Sequence, residues 1–562
     1  MHSVNKWILA DFSSRLVVEM EKNCKNCGIP FETTSEEKGY LEKMNVSEPT
    51  YCYTCRRQRR LAWRNERNLH KRKCDLSGKS IVSIYDSEAP FPVYDPKEWF
   101  TDKWDGITYG RDFDFNRPFF EQFKELEKEV PKMALHVMSL ENSPYVNYCW
   151  HAKNCYLCFA SGFLEDIYYS YEIYYSKDCA DISFSRNLEL CYYLLDCKDC
   201  FSSQFLQDCH NCTDSYFSLD CRNCKNVAFS YNLRNKDYHI YNKPVTKEEF
   251  AKFQKELKEG SFELQEKYKK DFQEKVIAKA LHKPNHNINI ENCTGDYLLN
   301  CKNCTDCYDC AKSEDMYQCT RSDEDGRDCM DTDNTAFAEL AYDSTSVAGN
   351  NVQFGVMSLH SNDCQYFHSL QSCNNCFGCI GLRSKKYCIL NKQYSKEDYE
   401  ELRTKIIDHM KETGEWGEFF PAELSHFPYN ETRANEHYPL SKEEAETKNY
   451  PWREKDHTEY LPQDTKVPDK IAETDESIIK ETMACKDCGK NYKIIAQEFS
   501  LYKKLGIPIP RSCFNCRYFE RDSWRSPYGL ETVSCSECDK EFTTTNRETS
   551  NVCEDCYKKA IY

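Results

Sequence analysis

The chain has 562 residues, enough for several domains, with a formal net charge of −17, 36 Cys and only 18 Gly. That acidity argues against a generic nucleic-acid binder, and the absence of G-x-G-x-x-G and G-x-x-x-x-G-K-[ST] removes the two commonest nucleotide cradles. No run of 18 apolar residues exists, so no membrane span is expected. The opening MHSVNKWILADFSSRLVVEM is broken by Asp11 and Arg15 and makes a poor secretory signal. A cytoplasmic chain is expected, with thiols or metal thiolates rather than disulfides.

Near the start, Cys24, Cys27, Cys52 and Cys55 form the pattern C-x2-C-x24-C-x2-C; near the end, Cys485, Cys488, Cys513 and Cys516 repeat it. Between the copies Glu37 matches Glu498, Pro49 matches Pro510, Arg56 matches Arg517 and Trp63 matches Trp524, so one module is used twice. A third set, Cys535, Cys538, Cys553 and Cys556, follows as C-x2-C-x14-C-x2-C. A C-x2-C turn aims two thiolates at one point, and two such turns surround a Zn²⁺ with sulfurs at about 2.3 Å. Four thiolates leave no position for water, so three structural zinc sites are expected, each adding folding free energy to a segment with little core.

Residues 485–525, with CxxCG, a Tyr-Lys-Lys stretch and P-x-x-C-x-x-C-R, resemble the treble-clef zinc-ribbon domains of many uncharacterised bacterial proteins. More widely, the chain is similar to Cys-rich proteins of reduced-genome bacteria that join such ends to NC/DC repeats. The matching stretches are CDLSGK at 74–79, YGRDFDFNRPFFEQF at 109–123 and LRSKKYCILNKQYSKEDY at 382–399. The resemblance implies zinc binding and no particular activity. It also implies a helix after the second Cys pair, which would carry Arg56, Arg57, Arg59, Arg60, Trp63, Arg64 and Arg67. A cationic helix beside a zinc knuckle suits phosphate contact, with Trp63 able to stack on a base. The alternative is pairing with this acidic chain's own carboxylates. The later copy, Arg517, Arg521 and Arg525, is interrupted by Glu520 and Asp522 and is the weaker candidate.

Residues 76–144 are aromatic and Pro-spotted, with a helix expected at 118–130, and read as a cap over the open end of the array that follows. That array, 145–243, repeats in twelves: DCKDCFSSQFLQ, DCHNCTDSYFSL, DCRNCKNVAFSY. A short fixed period means stacked units too small to fold alone. Asn or Asp before each Cys suits a left-handed corner that lets both Cys of a unit face one core. Cys then stacks on Cys and Phe on Phe. The expected body is a right-handed parallel β-helix, each twelve forming one narrow coil or half of a coil twice as long. A second array, 286–394, ends like the first, and its steps from Cys293 to Cys304, Met316 and Cys329 are 11, 12 and 13. Array cysteines are expected as buried filler, with metal binding as the alternative. The acidic 321–334 reads as a solvated loop, lacking the offsets of a calcium loop.

Thr246 with Glu249 opens a helical pair within 244–285, split at Gly260, and Ser395 with Asp398 opens a helix ending near Gly414. Each is expected to cap its array's last coil. Segment 395–470 is thus read as the Ser395 helix followed, at 415–470, by an extended tether to the modules at 471–530 and 531–562. The fold is therefore expected to be mainly β: a duplicated right-handed parallel β-helix with α-helical caps and small treble-clef zinc modules, one spanning 1–75, at both ends. The function expected is a non-enzymatic zinc-binding scaffold with a macromolecular partner, RNA/ribosome or protein, and no nucleotide cofactor. The alternatives are a metal-storage or thiol-buffering protein and a carbohydrate-acting β-helix enzyme, the last by fold analogy alone.

Overall fold

The computed structural model describes residues 22–454, 460–463, 465–546 and 551–562. The N-terminal stretch read as a poor secretory signal lies outside them. The chain is mainly β, with two large parallel-rich sheets of 10 and 11 strands, helices packed beside them and Cys clusters at both ends.

In the first sheet the strands from Val137–Glu141 to Lys243–Pro244 lie side by side in chain order. Leu194 pairs with Leu206, and Leu206 with Ser218. Bridges outside the strands keep the same step, Lys198 to His210 to Arg222 to Arg234. Apart from Tyr145 with Tyr156 and the antiparallel last pair, residues of this sheet pair 12 positions on, and no step of twice that length occurs among these pairs. The second sheet follows the irregular spacing of its sequence. Ile288 pairs with Leu299, Cys304 with Met316, and Met316 with Cys329.

The backbone is left-handed at every third residue from Tyr148 through Tyr241, which places four corners in each twelve. Such a corner costs an ordinary L-residue about 1–2 kcal/mol, least for Asn and Asp. Asn211, Asn223 and Asn235 occupy successive corners and form a ladder, each Nδ2 donating to the next Oδ1 at 3.0 and 3.1 Å. Phe205, Phe217 and Phe229 hold another set, stacked at 4.6 and 5.1 Å.

From Cys149 to Ser230 the residue after each corner is buried, and these positions hold Cys, Ser, Ala, Val, Ile and Leu. Cys197, Cys200, Ser203, Leu206, Cys209 and Cys212 are all at most 2 % exposed. Cys209 Sγ donates to the Gln207 carbonyl at 3.4 Å, and Ser203 Oγ donates to the Phe201 carbonyl at 2.9 Å. Thiol and hydroxyl therefore fill the same place with the same bond.

Helices Lys247–Lys258 and Phe262–Lys275 form as the capping box and Gly260 suggested. They lie along the stacked aromatic corners rather than over the last unit alone: Tyr268 meets both Phe217 and Phe229, and Lys269 lies over Tyr193. Helix Lys396–Thr413 packs Tyr399 against Tyr387 of the second sheet's last unit.

Three expectations are corrected. Residues 76–135 of the expected cap cover the second sheet, not the end of the first: Phe119 packs on Tyr366 and Phe377, and Asn391 Nδ2 donates to the Gly106 carbonyl at 2.9 Å, while Val137–Glu141 is itself the first sheet's end strand. The second sheet's aromatic corners, Phe354 and Tyr366, need an apolar cover, and Phe119, Phe123 and Leu126 supply it. Residues 415–454 are not an extended tether. Phe419, Phe420, Phe427 and Tyr429 are buried, and short helices form at Arg433–His437 and Lys442–Thr447. Finally, 321–334 is not a solvated loop, because 327–335 is a strand in which Asp331 and Asp333 are fully buried.

Candidate metal centres and their arginine clamps

Each Cys quartet begins with a short antiparallel pair that positions its first two thiols. In the first module Lys22–Asn23 pairs with Pro30–Phe31, in the second Met483–Ala484 with Asn491–Tyr492, and in the third Glu531–Ser534 with Glu541–Thr544. Gly28 and Gly489 take the left-handed conformation that closes the knuckle, and their N–H groups donate to the Cys24 and Cys485 carbonyls at 2.9 Å. The third thiol of each set, Cys52, Cys513 or Cys553, caps a helix without bonding its backbone, so its sulfur stays free for an ion.

The four ligand atoms of each set lie within 4.8 Å of one another. Cys27 and Cys52 are 3.8 Å apart, Cys488 and Cys513 3.8 Å, and Cys538 and Cys553 3.7 Å. Sulfurs tetrahedral about one ion at bonds of about 2.3 Å are separated by roughly 3.8 Å. The sites therefore fit a tetrahedral thiolate-bound ion. Burial disfavours the Cys24 and Cys485 thiolates, but backbone N–H donors outweigh it and bring the thiols to about 6 and about 7. At Cys535 the Cys553 N–H, 3.3 Å from its sulfur, leads the same effect, to about 6. In the first two modules the fourth thiol moves the other way: burial and neighbouring thiols push Cys55 and Cys516 up. Four anions at one point need a cation.

The arginines after Cys55 do not form a surface. Arg56, Arg57, Arg59, Arg60, Arg64 and Arg67 are all at most 8 % exposed. Arg56 Nε donates to Asp331 at 2.6 Å and Arg57 Nε to Asp333 at 3.1 Å. Arg60 reaches Asp331, Asp333 and Asp343 at 3.4, 2.9 and 2.8 Å. Arg59 pairs with Glu418, Arg64 with Glu66 and Arg67 with Glu436. Trp63 is packed among Phe419, Phe420, His368 and His426. The expected phosphate-contacting helix is thus turned into the protein, because the acidic corners of the second sheet meet it there.

The C-terminal module repeats this on the first sheet. Arg517 and Arg521 both pair with Asp181, at 2.9 and 2.8 Å, and Arg525 with Asp196 and Asp309. Arg56 and Arg517 even bond the same backbone position, the carbonyls of Tyr51 and Ser512, at 2.8 and 2.7 Å. The two modules are crossed: the arginines of the N-terminal one clamp the second sheet, and Arg517 and Arg521 of the C-terminal one clamp the first, with Arg525 bridging Asp196 of the first and Asp309 of the second.

A fourth knuckle, missed in the sequence, follows strand His70–Lys73. Gly78 N donates to the Cys74 carbonyl at 2.8 Å and Asp95 N donates to Cys74 Sγ at 3.3 Å, as Cys513 N does to Cys485 Sγ. The quartet's places are taken by Cys74, Ser77, Asp95 and Glu98. The Asp95 carboxylate caps helix Pro96–Trp99, accepting from Lys97 N at 2.8 Å, so this knuckle closes through hydrogen bonds. The signal was CDLSGK followed by an Asp-Pro helix start. The chain matches no protein-family model and no curated protein.

Proposed function

We propose that the chain is a non-enzymatic, zinc-binding scaffold of the cytoplasm, in which two treble-clef modules and a zinc ribbon lock a pair of right-handed β-solenoids. The single observation that carries this reading is the spacing of the three Cys quartets, which suits Zn²⁺ as structural ion with no open position. The pairing step of twelve and the four corners in each twelve support one coil per repeat unit. The array thiols donate to carbonyls and, among the described residues, gather no tight group of three, which favours filler over metal storage. No disulfide joins the described cysteines, which suits a reducing compartment. No helix among the described residues is long and apolar enough to cross a membrane.

The partner this reading favours is a protein. With the module arginines turned inward and a net charge of −17, the outer surface repels a polyphosphate. Titration of the stripped protein with Co²⁺ tests the metal reading. Three ions per chain should develop thiolate-to-cobalt charge-transfer absorption, and saturation of those bands at fewer than three rejects it. Retention on single-stranded RNA at low salt, lost as salt rises, would reject the protein-partner reading.

A further inference from the structure

A fourth cluster of ligand type lies away from the cysteines. Glu127, His368 and His426 place one oxygen and two ring nitrogens within 4.8 Å of one another. They come from three separate parts of the chain: helix Phe119–Glu129, strand Tyr342–Gln371 and the segment at 425–427. All three side chains are at most 5 % exposed. Trp63 and Phe91 enclose them, with ring centroids 4.7 and 4.9 Å from that of His426. From this geometry we infer that Glu127, His368 and His426 bind a divalent transition-metal cation of the zinc or ferrous type.

His368 Nδ1 lies 3.1 Å from Glu127 Oε1, and His426 Nε2 lies 2.9 Å from Oε2. Ligand atoms sharing one ion at bonds of about 2.0–2.2 Å, with angles between about 90° and 110°, stand roughly 2.8–3.6 Å apart. Both ring nitrogens of His426 are buried without a hydrogen-bond partner, so its approach to the carboxylate is close but off the line a hydrogen bond needs. Two imidazoles with one carboxylate form a donor set suited to zinc or ferrous ion and poor for magnesium or calcium. Glu127 and His426 also line a cavity of about 820 Å³, bordered by His70, Glu431, Trp452 and Arg453. Three protein ligands leave a coordination position free for a water or a small molecule. Lys132 is the competing cation, its Nζ 2.5 Å from Glu127. Metal and ammonium contend for one carboxylate.

Co²⁺ titration of the full-length stripped protein tests this. The wild type should take up one ion beyond the thiolate-bound ones, with weaker visible bands and no added sulfur charge transfer. His368→Ala with His426→Ala should lose that ion and keep the charge-transfer intensity. Lys132→Met should bind it more tightly, which a purely structural ion pair would not do. Uptake that stops when the thiolate bands saturate overturns the site, as does an extra ion surviving the double substitution. An unchanged or weakened extra ion in Lys132→Met overturns it as well. If the double variant fails to fold, the wild-type count and Lys132→Met decide. Failure of the quartets themselves would show separately, as missing charge transfer.

Discussion

Arg60 places one fully buried guanidinium among three buried aspartates; burial keeps Asp331 above the usual carboxylate value despite Arg56 and Arg60, while at Asp333 Arg60 and Arg57 outweigh burial and hold the carboxyl below it. Replacing Arg60 with Met leaves the three aspartates one buried cation short, with only Arg56, Arg57 and Arg59 beside them. Arg60→Met is expected to cost about 3–5 kcal/mol in denaturant unfolding, the scale for breaking a buried pair on one side. Glu498 is the counterpart of Glu37, and burial raises both carboxyls. Glu498 rises to about 7, against Arg517 and the Tyr169 and Tyr502 hydroxyls, which favour its charge. A carboxyl held above its unfolded value binds its proton more tightly when folded. Its contribution is therefore whole below the unfolded pKa, near 4.5, and is lost as pH rises through about 7. Glu498→Gln, which keeps an acceptor for the tyrosines, should flatten the fall in melting temperature between pH 5 and 8 and be the more stable form at pH 8. A steeper fall would show that the carboxylate is stabilising. The offset of 461 between Arg56 and Arg517 was readable in the chain and marked these arginines as equivalent. Their aspartates were not readable, because Arg56 and Asp331 lie 275 positions apart and nothing local connects them.

The repeat unit presents a harder packing problem than its cysteine count suggests. Every third residue from Val146 to Val227 points inward, and the positions alternate among Cys, Ser, Ala, Val, Ile and Leu. Cys209→Ser should change stability by less than about 1 kcal/mol, because Ser203 and Ser215 already make the bond that Cys209 makes. Cys209→Phe should unfold the array, since an inward ring such as Phe367 of the second array is accommodated only against Gly355, and no glycine stands beside Cys209. Equal melting temperatures for both variants would contradict a sealed interior. The period of 12 was legible because Asp and Asn mark two corners of each unit. The finer period of three was missed at the other corners, where Phe205, Tyr193 and Phe217 hold left-handed backbone that such residues ordinarily avoid. Stacking with neighbours and cover from the two helices compensate that local cost, and neither is visible within a single repeat unit. The cap was misplaced for a related reason. Its position in the chain pointed to the array that follows it, but its apolar side matches the aromatic corners of the other array.

In the whole molecule the two matched Cys modules are fasteners as well as folded units. Each carries a helix whose arginines reach into the sheet more distant from it in the chain, so removing metal should loosen more than the segments that bind it. A strong chelator is expected to lower the melting temperature of the entire chain in one cooperative transition and to expose array thiols to a thiol reagent. Loss confined to the ends, with the array thiols still protected, would show that the clamps are dispensable. The crossed arrangement also has a consequence for synthesis. The first module leaves the ribosome with its basic helix, while Asp331, which neutralises Arg56 from 275 positions further on, is still to be made. Until then that helix is an exposed cationic segment on a nascent chain. The first array, in turn, waits for Arg517 and Arg521 near the far end. Neither half can be completed from its own residues, so no single cut is expected to release a self-sufficient fragment, and quality control would meet this protein as finished or unfinished with little between.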